Sequence, residues 1–555
     1  MKHFNGATLG RRLDLVLLVA LAAWAAAPVV YLVREASASG RAFTGAAGIF
    51  PGDQLQYLSW IRSAGEHGLA ANGFDLDSGG HVFLHPMFVL SGLLWRAGGS
   101  LELSLLLWTP VAVGVLFLGY RRFCARFFAD PLPRAAALAL ALFSISPLVA
   151  LIGWDHLPGA EAVRTVGGDT TTAPLLWGYL PSALALGLMP LFLLGLERLM
   201  SKQVGRGSAW LLAGTAGAGA LTSWLHPWQG ETLLLVTAGL AVSVRPRRAH
   251  LGIGVAALAT ALPLLYYFAL GRADGAWAVA QAQTPLERPS LLGLILTLGP
   301  VALFAVAGIR PTVREPRDRV LLLWPVAALA VTFAFSAALP SHALQGIALP
   351  IATLAVRGWQ ALRAPAVLAP LGLALATLPG AAFFADSERA AIDESRPGFF
   401  LGPGDLEALR HLEGLPGPGG VLTSPGLAPA VPAYTGRRTW VGHPVWTPRY
   451  PQRAREATDL FSGRLTGRRA QGLLRRASAR WVLAPCGAAP NLRVALGSRL
   501  RRVRRFGCAT LYEVATESRA ALVRSPRTRP PRSSRTATAA DPTATAAHRP
   551  SISTE

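Results

Sequence analysis

Asp53 stands just after a Pro-Gly pair in the run Phe50-Pro51-Gly52-Asp53-Gln54-Leu55-Gln56-Tyr57. Pro-Gly followed by an acid marks a helix start, so Asp53 and Gln56 fall on a first turn. A carboxylate there has two uses. It can cap its own helix, or it can take a proton from a hydroxyl held within ~3 Å as a general base.

Other ionisable groups gather further along. Trp154-Asp155-His156 is followed by Glu161, Arg164 and Asp169. Ser223-Trp224-Leu225-His226-Pro227-Trp228-Gln229-Gly230-Glu231 joins two apolar stretches, placing His226 and Glu231 at or just inside a membrane boundary. Ionisable residues at that depth are costly unless they face protein or a water-filled cavity. Two readings stand for them: a functional site, or groups that satisfy backbone at a broken helix. His85 reads equally as a buried polar anchor or a ligand. His81, His85, His156 and His226 lack the short spacing on one element that a metal signature shows, so neither a metal nor a cofactor is expected. Asp75 and Asp77, in Gly-rich surroundings, read as a solvated turn; to hold a metal they would have to fold onto Asp53. Trp60, Trp154, Trp177, Trp224, Trp228 and Trp277 fit an interfacial aromatic belt, and stacking on sugar rings is the second reading.

The elements that must position these groups are apolar. The chain of 555 residues is 52% hydrophobic and 15% charged, and its low-charge stretches recur in blocks of about twenty residues, the length that crosses a bilayer core of ~30 Å. About eleven such spans are expected, near residues 12–33, 101–120, 134–153, 176–196, 208–225, 228–244, 250–270, 290–309, 320–339, 346–362 and 366–384. The first is read as uncleaved, since no small-x-small site with a polar mature start follows it. The formal charge of +23 does not imply a nucleic-acid partner, because its arginines sit in links between apolar blocks and in the last quarter of the chain. Clusters at Arg121, Arg122 and Arg126, at Arg198, Lys202 and Arg206, at Arg245, Arg247 and Arg248, at Arg310, Arg314, Arg317 and Arg319, and at Arg357 and Arg363 fall on one side, which positive-inside bias makes cytoplasmic. That requires His81 to Trp95 to lie along the outer surface instead of crossing; a full crossing there is the alternative. The N-terminus is then cytoplasmic, and the first loop, 34–100, is outside.

Residues 1–385 are therefore expected to form the membrane domain of an α-helical polytopic protein, and 386–516 a C-terminal extracytoplasmic α/β domain. In that domain 405–412, 453–461 and 472–478 read as helices, and 420–423, 438–441, 480–483 and 509–514 as extended. Residues 517–555, rich in Ser, Thr, Pro, Arg and Ala, read as a disordered tail. Cys486 and Cys508 both fall in the outer domain; an oxidising compartment permits a disulfide worth ~3 kcal/mol, and two unpaired buried thiols are the other reading.

An acid early in the first outer loop, followed by helices along the membrane, many spans and an outer soluble domain, resembles the GT-C glycosyltransferases. Ala433-Tyr434-Thr435-Gly436-Arg437-Arg438-Thr439-Trp440, Gly442-His443 and Phe506-Gly507-Cys508-Ala509-Thr510-Leu511-Tyr512 are similar to outer domains of an uncharacterised bacterial branch of such proteins. The resemblance covers most of residues 1–515. It implies a bacterial plasma-membrane enzyme of inverting type that moves a sugar from a polyprenyl-phosphate donor to an envelope glycan, lipid or protein acceptor on the outer face. Asp53 would be the general base. Arg164, with His156 behind it, would contact phosphate, and Asp155, His226, Glu231 and His85 would line the substrate pocket. Gln54 departs from the pattern, which places a second acid after the first. That departure keeps open a catalytically silent scaffold of envelope assembly; a lipid or sugar transporter is the remaining rival, and it predicts mid-span charges and an internal repeat.

Overall fold

A computed structural model describes residues 6–48, 50–154, 166–201, 208–242, 247–284, 286, 288–334, 338–488 and 492–515. Among them seven helices are long and apolar enough to cross a membrane: Gly6–Ser39, Leu101–Phe127, Pro131–Trp154, Leu180–Met200, His250–Ala273, Leu291–Val313 and Ala366–Asp393. Every expected span falls on a helix. Ser208–Leu225, Pro227–Ala241, Val320–Ala334 and Ala348–Ala361, however, are shorter or less apolar than a full crossing asks, so the count of about eleven is not reached on length and composition. The chain is a multi-pass α-helical membrane protein with a small C-terminal sheet.

Proline and glycine shape the helices that carry the site. Pro227 follows His226 and opens a new helix, which breaks the apolar run there. Helices Trp108–Phe127 and Leu180–Met200 cross where Gly119 meets Gly187: a Cβ added at Gly119 would stand 2.0 Å from the Gly187 carbonyl oxygen. Only glycine permits that approach, which fixes the Leu180 end of its helix against the bundle.

The first loop folds as two helices, Pro51–His67 and Pro86–Arg96. The second has 11 residues, about 16 Å of helix, and cannot cross a ~30 Å core. It packs on the first through Gly65 and Gly92, where a Cβ on Gly92 would meet Gly65 N at 2.5 Å. The alternative of a full crossing by this helix is thus excluded on length.

The C-terminal sheet has the order β3-β4-β6-β5, from Val421–Thr423 (β3), Trp481–Ala484 (β4), Leu500–Phe506 (β5) and Ala509–Val514 (β6), with β3 and β4 parallel and the other pairs antiparallel. Helices occur at Pro403–Glu413, Tyr450–Phe461 and Gly467–Ala477. The extended segment expected at 438–441 contributes only a single bridge, Thr439 to Val421. Strand β5 was not expected, because Leu500-Arg501-Arg502-Val503-Arg504-Arg505-Phe506 lacks apolar alternation; it is an edge strand, where charge is tolerated. Cys486 and Cys508 form a disulfide joining the segment after β4 to the β5–β6 turn. Replacing both by Ser is expected to lower the stability of this sheet by ~3 kcal/mol, read as earlier chemical unfolding of the C-terminal domain by tryptophan fluorescence.

This sheet and its helices are laced to the first loop. Ala42–Phe43 (β1) pairs with Phe400–Leu401 (β2). Thr439 N donates to Gly73 O at 2.8 Å, Thr447 Oγ1 to Phe74 O at 2.9 Å, and Asn72 Nδ2 to Trp446 O at 2.9 Å. Arg62 Nη2 lies 2.8 Å from Glu413 Oε1, and Arg453 Nη1 2.8 Å from Asp75 Oδ1. Asp77 is exposed, as a solvated turn asks, but Asp75 is not: the side chains of Arg453 and Asp75 are only 12% and 13% exposed, and Asp75 anchors the loop to the C-terminal domain.

Candidate active site

Asp53 lies on the first turn of Pro51–His67, but it does not cap that helix. The N-cap is Phe50, which has no side-chain capping bond, and Pro51 supplies the first helical residue. The Asp53 carboxylate instead turns toward the helix bundle and the C-terminal domain. Tyr179 Oη donates to Oδ2 at 2.9 Å, and His443 Nε2 lies 3.0 Å from Oδ1. Tyr179 immediately precedes the helix Leu180–Met200, and His443 belongs to the segment that clamps the first loop.

The tautomer of His443 follows from its other nitrogen. The Val445 backbone N–H donates to Nδ1 at 3.2 Å, so Nδ1 is an acceptor and the ring proton sits on Nε2, aimed at Asp53. His443 therefore orients the carboxylate and cannot accept a proton at the atom facing it. Its side chain is 7% exposed, against 37% for Asp53, so the carboxylate is the accessible member of the pair. Burial first, then the Asp53 carboxylate, push the Tyr179 phenol well up, which keeps it an O–H donor; Asp169 acts in the same direction. Each Asp53 oxygen accepts one bond and retains a lone pair for an incoming hydroxyl.

Gln54 points the opposite way. It is buried, its Oε1 accepts from Ala47 N–H, and its amide lies against Gly48 and Gly178. Gly178, at φ +100°, could carry no Cβ without meeting the Gln54 amide nitrogen at 2.1 Å. The residue that departs from the two-acid pattern is thus a staple between the first loop and the Tyr179 segment, facing away from solvent.

A second polar cluster forms at the break between Ser208–Leu225 and Pro227–Ala241. Asp169 Oδ1 accepts from Gln345 Nε2 at 3.0 Å and lies 3.9 Å from His342 Nε2. The His342 ring centroid is 5.6 Å from that of His226, and Gln229 Nε2 donates to His342 O at 2.9 Å. His226 Nδ1, His342 Nδ1, Gln229 Oε1 and Gln345 Oε1 are buried and have no hydrogen-bond partner among the described residues; Glu231 Oε2 likewise has none, but two positions beyond Gln229 it lies on another face of its helix. Buried polar atoms cost free energy when unpaired, so this concentration is what a polyhydroxylated ligand, or water holding its place, would satisfy.

His85 takes the anchor role. It is buried beside the Leu225 backbone, burial pushes it down to about 3, and its ring stacks on Phe88 at 4.2 Å. Its segment is tied to the membrane helices by Trp224 Nε1 donating to Leu84 O at 2.9 Å and Tyr266 Oη to Val82 O at 2.8 Å. A neutral, enclosed His85 positions the second loop helix. Of the tryptophans, Trp177 is buried and stacks on Trp24 at 4.2 Å, and Trp60 packs edge-on to Trp446 at 5.4 Å, so these two are core and not belt.

The structure thus brings Tyr179 and His443 to Asp53, and gathers Asp169, His342, Gln229 and Gln345 around His226. Asp155, His156, Glu161 and Arg164 lie outside the described residues. Among the described residues no group of three or more His, Cys, Asp or Glu is placed to hold a metal ion. In the sequence His443 stands out only as part of a kinship motif, and His342 and Gln345 fall in the gap between the spans expected at 320–339 and 346–362.

No family model matches the sequence, and no curated protein matches it. Among solved structures it is similar to ArnT from Cupriavidus metallidurans bound to undecaprenyl phosphate, at 14% identity over 90% of this chain and 97% of that one, with a TM-score of 0.49. It is also similar to the archaeal oligosaccharyltransferase AglB from Archaeoglobus fulgidus in complex with an inhibitory peptide and a dolichol-phosphate, at 13% identity over 85% of this chain and 69% of that one, TM-score 0.46. The apo form of the Archaeoglobus fulgidus oligosaccharyltransferase gives 13% identity, the same shares and a TM-score of 0.48.

Proposed function

We propose that this chain is a GT-C-type glycosyltransferase of a bacterial plasma membrane that transfers a sugar from a polyprenyl-phosphate donor to an envelope glycan, lipid or protein acceptor. The observation that carries the reading is the accessible Asp53 carboxylate held on both oxygens by Tyr179 and His443. The N-terminus is cytoplasmic in this reading, and residues 386–516 face outward with Asp53. The disulfide suits an oxidising outer compartment.

In the step so assigned, the acceptor hydroxyl oxygen attacks the anomeric carbon while the bond from that carbon to the phosphate oxygen breaks, and its electron pair leaves with the polyprenyl phosphate. Attack and departure lie on opposite faces, so configuration inverts. The acceptor proton passes to Asp53. The proton moves as bond formation to the anomeric carbon acidifies the acceptor oxygen. The polar cluster around His226 supplies hydrogen-bonding groups for the sugar, and Arg164, with His156 and Asp155, is assigned to the phosphate end.

The test is transfer by the purified protein in lipid nanodiscs, supplied with a panel of radiolabelled polyprenyl-phosphate sugars and an envelope extract as acceptor source. Appearance of label in acceptor together with free polyprenyl phosphate supports the assignment. Donor binding without any turnover across the panel would overturn it in favour of a silent scaffold.

A further inference from the structure

At the far end of the helix that begins beside Tyr179 lies a groove of about 1730 Å³, larger than the ~300–1,000 Å³ common for small-molecule sites. The helix Leu180–Met200 has 21 residues, so its two ends are about 30 Å apart; the groove runs along it from Leu188, and the arginines at its mouth lie at the end away from Tyr179. Its walls are apolar: Leu191 and Leu194 on one helix, Leu211 and Leu221 on the helix Ser208–Leu225. Its floor is open, because Gly214 and Gly217 line it and a Cβ added at either meets nothing within 4 Å.

The mouth is cationic. Arg121, Arg122, Arg126, Arg198 and Arg317 line the groove, and the carboxylate among its lining residues is Glu197. Glu197 is already taken, accepting from Arg126 Nη2 at 2.7 Å and Nε at 2.9 Å, and Arg121 is paired with Asp14 at 2.7 Å. Arg122, Arg198 and Arg317 are exposed and have no ion pair among the described residues.

We infer that this groove holds an anionic phospholipid of the inner leaflet, its phosphodiester headgroup among Arg122, Arg198 and Arg317 and an acyl chain along the leucine walls over Gly214 and Gly217. Apolar walls exclude a soluble anion as the main occupant, and three uncompensated guanidinium groups select against zwitterionic lipid. The site is independent of sugar transfer and holds even if that assignment fails.

The experiment uses the full chain, purified in detergent and delipidated, then titrated with phosphatidylglycerol or with phosphatidylcholine of identical acyl chains, with bound lipid counted by native mass spectrometry. Phosphatidylglycerol is expected to occupy one tight site that phosphatidylcholine does not fill. Replacing Arg122, Arg198 and Arg317 together by Ala should weaken that site roughly a hundredfold. Gly214→Leu with Gly217→Leu tests the walls separately: both side chains enter open space and favour helix, so the fold is retained while the acyl path is closed and the site is lost. Equal binding of the two lipids, or unchanged phosphatidylglycerol affinity in both variants, would overturn the inference. Tighter binding of undecaprenyl phosphate than of phosphatidylglycerol would overturn the choice of occupant.

Discussion

Asp53→Asn is expected to lower turnover by ~10²- to ~10⁴-fold, with donor binding little changed, because it removes the group that accepts the acceptor's proton and leaves the rest of the pocket in place. The substitution keeps shape and volume. Tyr179 Oη can still donate to the amide oxygen, whereas the amide nitrogen, itself a donor, confronts the proton on His443 Nε2 if it lands on that side. The folded protein should therefore keep its thermal midpoint within a few degrees while activity falls. Single-turnover transfer and donor binding are measured side by side on the same preparation. Full activity in the variant would remove Asp53 from the base role and leave Tyr179 and His443 as purely structural partners.

His443→Gln provides the companion measurement. An amide can present an N–H toward Asp53, so a positioning role predicts partial retention, whereas His443→Ala loses more. Both effects should appear in turnover more than in donor affinity.

The second large effect is one of stability. Arg453→Ala is expected to destabilise the C-terminal domain by roughly 3–5 kcal/mol, because it leaves Asp75 enclosed without its counter-charge. Arg453 also donates to Trp440 O at 2.9 Å, and its guanidinium lies 5.2 Å from the Trp440 ring centre, so the loss extends to the segment leading to His443. Adding Asp75→Asn to Arg453→Ala removes the stranded charge and should recover part of the loss. Denaturant unfolding of the single and double variants measures both, and activity should fall with the single variant because His443 is carried on the loosened segment. A double variant no more stable than Arg453→Ala would show that the ion pair is not the source of the effect.

Much of this fold was legible because the bilayer leaves few options. Apolar blocks of about twenty residues must be helices, and their links must carry the charge. The positions of the helices followed; their adequacy as full crossings did not, because short helices such as Ala348–Ala361 are enclosed by neighbours and need not match the bilayer alone. Asp53 was legible as the opening of a helix from Pro51 and Gly52. Its partners were not. Tyr179 sits next to a long apolar run, where nothing local separates a buried phenol from an interfacial one, and His443 reaches Asp53 only through tertiary packing. The N-cap reading fails for a related reason: packing turns the carboxylate outward to two better donors.

Strand β5 shows the opposite limit. Its arginines hide a strand from any reading based on apolar alternation, yet at a sheet edge with one neighbour they cost little and guard the open side. Asp75 and Asp77 looked like surface residues because glycines surround them. Asp77 is indeed exposed, but Asp75 packs against Arg453, and a Cβ on Gly73 would stand 2.7 Å from Pro432 of the C-terminal domain, a close approach that glycine permits.

The bond between Asp53 and His443 spans 390 positions of the chain. During synthesis the first loop emerges early and every membrane helix must follow before the segment bearing His443 leaves the ribosome. A chain that stalls, is cut in its last third, or fails to translocate that segment would carry Asp53 without the donor that orients it. In the enzyme proposed above, the carboxylate would thus be oriented only once the chain is nearly complete.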